Sequence, residues 1–252
     1  MLKTDYLRQY LKQYASLPLH QNETLKQNTQ MMMAWQKSRL TQLYPDLFNQ
    51  PEKDALKVFM FDYFYDLNTL EMLAKQLKKA LDQKIKLDRW IPNEILDSAL
   101  AGFELALTTL QTDSAIAQHL MSQQLEINDT NVLKGLAQIN QNQIRIKQLD
   151  LLHDVTQNMH RFAQSLLLRS ALKFARSKIE QRGFKPLHDY LQHTIQIMRT
   201  QPHTLDFFHS LVKRDKLFLN YLAVEQPTQL NIYYDANIDQ FIKLSQQHMD
   251  MC

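Results

Sequence analysis

Asp62 and Asp66 stand four apart beside an aromatic run, Phe59-Met60-Phe61-Asp62-Tyr63-Phe64-Tyr65. On a helix that spacing puts both carboxylates on one face. Held against apolar mass, they could do acid–base chemistry. A buried carboxylate is costly without a partner, so an arginine or lysine should meet them, and Arg39 is the candidate. His153 and His160, seven apart with Asp154 alongside, share a second face that could serve as acid, base or metal ligand. Neither the Glu-x-x-His pair of di-iron bundles nor His-Glu-x-x-His occurs. Nine histidines in 252 residues also make such spacings by chance, so no metal is expected. A third pattern is basic: Arg169, Lys173 and Arg176, spaced four and three apart, form one stripe, with Leu168, Leu172, Ala175 and Ile179 opposite. A basic amphipathic helix can bind anionic lipid, nucleic acid or an acidic partner.

Much other chemistry is excluded by a shortage of glycine. Only Gly102, Gly135 and Gly183 occur, whereas phosphate loops and nucleophile elbows need glycine to reach φ > 0 and to let backbone approach a ligand. The lone cysteine, Cys252, ends the chain and can neither pair internally nor sit in a tuned pocket. No cofactor is expected, no catalytic residue is assigned, and an enzyme is not the expected reading. Net charge is +3; residues 1–126 carry 14 basic and 15 acidic side chains and the remainder 15 and 11. That excess is too small to imply nucleic-acid binding. The opening residues Met1 to Arg8 are interrupted by charge and do not form a signal peptide. No stretch approaches the ~18 apolar residues of a membrane span. A cytoplasmic location is expected.

These residues must be positioned by helices. Seven prolines punctuate the chain, and between them apolar residues recur three and four apart. Asn22 is a predicted N-cap, with Glu23 in the first turn. Residues 52–65 read as one helix. Asn68 or Thr69 caps the next, Pro92 opens another, and Asp113 caps a short helix over 114–125. The proline-free run 129–181 should break once or twice, ending at Gly183. Pro186 and Pro202 each start a helix. The one β-leaning patch, 230–234, has no partner strand, and 235–249 reads as a final helix. The fold class is all-α, a compact domain of nine or ten helices. Residues 1–20 form a peripheral helix that docks on the body or swaps into a second copy, 21–226 form the core and 227–252 a tail.

Two segments resemble a bacterial family named for its Phe-Phe-Leu-Glu-Glu-Leu-Tyr motif. Phe59, Asp62 and Tyr65 match the heptad, with Met60, Phe61, Tyr63 and Phe64 as departures. Met33 to Leu40 and Tyr44 to Leu47 precede it. Arg176, Gly183, Leu187, Asp189, Tyr190 and Leu191 match the later half, followed by Met198 and Arg199. The resemblance spans roughly residues 33–222. It implies a helical fold and no reaction, and with Tyr63 at the second acidic position a catalytic carboxylate pair has no support there.

The expected function is to bind another macromolecule without catalysis, through the aromatic surface Phe59, Phe61, Asp62, Phe64 and Tyr65 and the stripe Arg169, Lys173 and Arg176. Another protein is the expected partner, and a homodimer is open. Two alternatives stand. One is an apolar or acyl ligand enclosed by the helices, its anionic head held by Arg176 or Lys173. The other is an enzyme drawing acid–base residues from Asp62, Asp66, His153 or His160.

Overall fold

The computed structural model describes residues 3–83 and 93–224. Every regular element among them is helical, and nine run for seven residues or more. Helix α1 (Lys3–Ala15) leads through a 3-10 turn, Pro18–His20, to α2 (Glu23–Leu43). Asn22 caps α2 as its sequence predicts: its side-chain oxygen accepts from the Leu25 N–H at 3.0 Å, filling a donor left open at the helix start. A single turn, α3 (Pro45–Phe48), follows.

Residues 52–65 are not one helix. A 3-10 turn (Pro51–Lys53) passes into α4 (Asp54–Val58) and then into a π turn, Phe59–Phe64. The Tyr65 N–H closes it, donating to the Met60 carbonyl at 2.9 Å. Pairing five residues apart accommodates an extra residue in the turn, and three consecutive side chains, Phe59, Met60 and Phe61, are buried there. The altered winding also corrects the reading of the two aspartates. Asp66 leaves the helix in extended backbone, and its carboxylate accepts from the Thr69 N–H at 2.9 Å. Asp66, rather than Asn68 or Thr69, is thus the N-cap of α5 (Leu67–Asp82).

Helix α6 (Asn93–Ser122) is 30 residues long and continuous, so Asp113 lies inside it and caps nothing. The run that follows breaks twice, giving α7 (Asp129–Ile139), α8 (Asn142–Gln164) and α9 (Leu166–Gln181). Asn140 makes the first break in left-handed backbone and Ser165 the second in extended backbone. Gly183, at φ 77°, follows α9, a conformation with little cost only for glycine. Pro186 lies in the first turn of α10 (Lys185–Thr200), and α11 (Thr204–Val224) completes the described chain. Pro92, the patch 230–234, the tail 235–249 and Cys252 lie outside the described residues.

Helices α6 and α8 form the axis. The first packs against α1, α2, α7 and α8, and the second also against α9, α10 and α11. The densest core is aromatic. Phe48 stacks on Phe61 with ring centroids 4.9 Å apart and meets Phe207 edge-on at 5.4 Å. Phe208 meets Phe207 at 5.1 Å and Phe59 at 6.4 Å. Each such ring contributes about 1.5–3 kcal/mol through burial and adds geometric preference through its neighbours. The N-terminal helix docks on the body: Leu7 is fully buried with Leu81 and Leu96, and Lys3 pairs with Asp97 at 2.7 Å. Among the described residues no helix is long and apolar enough to cross a membrane.

Candidate functional site

A cavity of about 350 Å³ runs between the helices, within the range of small-ligand pockets. Its wall is mostly leucine, alanine and aromatic rings, with Leu73 and Leu77 from α5, Phe103 from α6 and Leu187 and Leu191 from α10. Into this apolar wall come Gln36 and Arg39 from α2, Tyr65 from the π turn, Arg145 from α8 and Asp215 from α11.

In the first pair every guanidinium nitrogen has a partner. The Arg39 Nη1 and Nη2 donate to the two Asp215 carboxylate oxygens at 2.7 and 3.0 Å, and its Nε donates to the Gln36 Oε1 at 2.9 Å. The Tyr44 hydroxyl donates to the same carboxylate at 3.1 Å, and the guanidinium lies 4.4 Å over the Phe218 ring. Burial alone would lower the Arg39 pKa, but Asp215 outweighs it and the net direction is upward. Burial, reinforced by Asp215, pushes the Tyr44 hydroxyl well above its ordinary value.

The second pair is not saturated. The Arg145 Nη2 donates to the Asp113 Oδ1 at 3.0 Å, and the Tyr65 hydroxyl donates to Asp113 Oδ2. Arg145 is 6% exposed, yet its buried Nε has no hydrogen-bond partner. Tyr65 is pushed well above its ordinary value by burial, then by Asp113, while Arg145 and Arg39 both act in the opposite sense. Tyr65 therefore lies within electrostatic reach of both pairs, which makes one charged cluster in a largely apolar chamber.

The expected site residues disperse. Phe59 and Phe61 are in the core, 0% and 7% exposed, and present no surface to a partner. Phe64 and Tyr65 line the cavity. Asp62 is exposed and Asp66 is a cap, so the shared carboxylate face does not form, and Arg39 is engaged by Asp215 instead. Lys173 and Arg176 are exposed on α9 and do not line the cavity, and neither does Arg169. Among the described residues the cations that do are Arg39 and Arg145. His153 bonds to the Gln157 side chain at 2.9 Å, and no hydrogen bond joins His153 or His160 to Asp62 or Asp66. Among the described residues no group of three or more His, Cys, Asp or Glu side chains could hold a metal ion.

The residues that sequence reasoning missed carry a readable mark. Arg145 shares its helical stripe with Leu149 and Leu152, and Asp113 with Leu110 and Ala117. Asp215 lies between Leu211 and Phe218 on the same face. A charge at a core position of an amphipathic helix must find a buried partner.

Residues 16–229 match the model of a domain of unknown function, DUF8198. The chain belongs to this family. No curated protein matches it, and no solved structure does. The family match takes in every helix from α2 to α11, and so both buried pairs and most of the cavity wall.

Proposed function

We propose that this chain is a binding protein for an elongated apolar ligand with an anionic, hydrogen-bond-accepting head, held without catalysis in the central cavity. One observation carries the reading: Arg145 lines an apolar cavity, and its Nε, buried beside that cavity, has no protein partner. An unsatisfied buried donor costs on the order of 1–3 kcal/mol, which a ligand carboxylate would recover through a charge-assisted bond. Asp113 offsets part of the guanidinium charge from behind, so the head is selected by hydrogen bonding more than by long-range attraction. Arg39, already saturated, holds the chamber's shape.

The experiment is a calorimetric titration with dodecanoate and with dodecanol. Wild type should bind the acid more tightly than the alcohol. The paired variant R145M/D113N, which removes both charges together and leaves no lone buried ion, should bind both alike. Failure of wild type to bind either chain, or an unchanged preference in the paired variant, would overturn the reading.

The heptad at 59–65 is read here as a diverged Phe-Phe-Leu-Glu-Glu-Leu-Tyr signature, with Tyr65 its contribution to the cavity. On that resemblance, and on the lone cysteine, we place the protein in the bacterial cytoplasm. A macromolecule-binding role falls to α9 in this reading, since Phe59 and Phe61 are buried and Phe64 and Tyr65 line the cavity.

A further inference from the structure

We propose that the outer face of α9 docks on an anionic lipid surface and sets that helix between the bilayer and the cavity. Leu166, Leu167 and Phe174 are 74%, 80% and 84% exposed, more than any other large apolar side chain among the described residues. They are not scattered. Leu167 and Phe174 are seven apart and Lys178 is four further on, which makes one stripe; Leu166, Ser170, Lys173 and Ser177 make the stripe beside it. The outward face therefore has an apolar centre bordered by cations.

The charges fit a negative plane. Lys173, Lys178 and Arg182 are exposed, and among the described residues no carboxylate pairs with them. The acid on the helix, Glu180, is taken by the Arg176 Nε at 2.9 Å. Arg161, at the end of α8, adds a further exposed cation. Apolar tips that enter the headgroup boundary, with lysine and arginine at the level of the phosphates, are the pattern of an interfacial helix. A partner helix would require a groove, whereas this face is the convex side of one helix. Its inner side turns the other way, and Leu172 lines the cavity. Ser165 and Gly183 bound the segment, and its neighbours in the packing are α8 and α10. The docking stands on this face alone, while its use as the ligand's entrance rests on the cavity reading.

The test is flotation of the full chain with phosphatidylglycerol vesicles and with phosphatidylcholine vesicles, at low and high salt. Binding should favour the anionic vesicles and fall with salt. It should weaken roughly tenfold or more in L167S/F174S and again in K173E/K178E. Thermal melts should confirm that both variants fold as wild type does. Dodecanoate binding in vesicle-free buffer should be unchanged in both, and its absence from wild type would strike the cavity reading and leave the docking intact. Failure to float with anionic vesicles, or undiminished flotation of L167S/F174S, would overturn the docking. So would a lipid-free dimer abolished by F174S, since the face would then join two copies of the chain.

Discussion

Arg39 and Arg145 line the same cavity, and each faces an aspartate that also takes a tyrosine hydroxyl, yet their surroundings differ. Arg39 meets both Asp215 oxygens, gives its Nε to Gln36 and lies over Phe218. Arg145 makes one bond to Asp113, and its Nε is left without a partner. Desolvation costs are similar in kind for both, so the difference lies in what the fold supplies in return. The Arg39 pair ties α2 to α11 and leaves no guanidinium nitrogen without a partner. An unsaturated one leaves a buried donor without a partner, in an interior where a hydrogen bond is stronger than in water.

The comparison breaks most visibly at Asp215. Asp215→Ala leaves the Arg39 guanidinium buried and unpaired, and denaturant unfolding should show a loss of about 3–5 kcal/mol. Gln36→Met sharpens the comparison by giving Arg39 the same open Nε that Arg145 has. It should cost about 1–3 kcal/mol and should raise affinity for neither dodecanoate nor dodecanol, because the remaining Asp215 contacts hold the group in place.

The smallest effect is in alkali. Tyr44 and Tyr65 both titrate well above their ordinary value. A raised value means stability that is complete below the ordinary tyrosine pKa, about 10, and that falls as pH climbs above it towards the folded value. Each tyrosine contributes at most about 1.4 kcal/mol per pH unit to that slope. Urea melts between pH 9 and about 11.5 should show a shallower decline for Tyr44→Phe and for Tyr65→Phe than for wild type. Equal flattening would mean that the two pairs share one environment for their hydroxyls and differ only at the arginine.

Much of the helical frame is legible in the chain because its signals are local. Asn22 before Glu23 and Leu25 carries its own capping geometry, and Pro186 and Gly183 mark boundaries through their own backbone limits. The candidate site is far less legible, since its bonds are not local. Asp113 and Arg145 are separated by 32 positions and Arg39 and Asp215 by 176, and neither pair is announced by spacing. Asp113 also precedes Ser114 in a pattern that reads equally well as a cap. What decides against a cap is the leucine stripe continuing on both sides of it. The pairing of Asp62 with Asp66 failed for a different reason: the four-residue rule presumes one continuous helix, and the chain winds wider at Asp62 and leaves the helix in extended backbone at Asp66.

That wider winding carries a consequence for Tyr65. An α-helix advances about 100° per residue, and pairing five apart lets the π turn take in an additional residue while the chain on either side keeps its rotational phase. Ordinary winding of all six residues 59–64 would carry the Tyr65 hydroxyl around the axis, away from Asp113, whereas removal of one of them together with a return to ordinary winding would leave it in place. The bond between that hydroxyl and the carboxylate that holds Arg145 thus depends on how the heptad winds as much as on the identity of its residues.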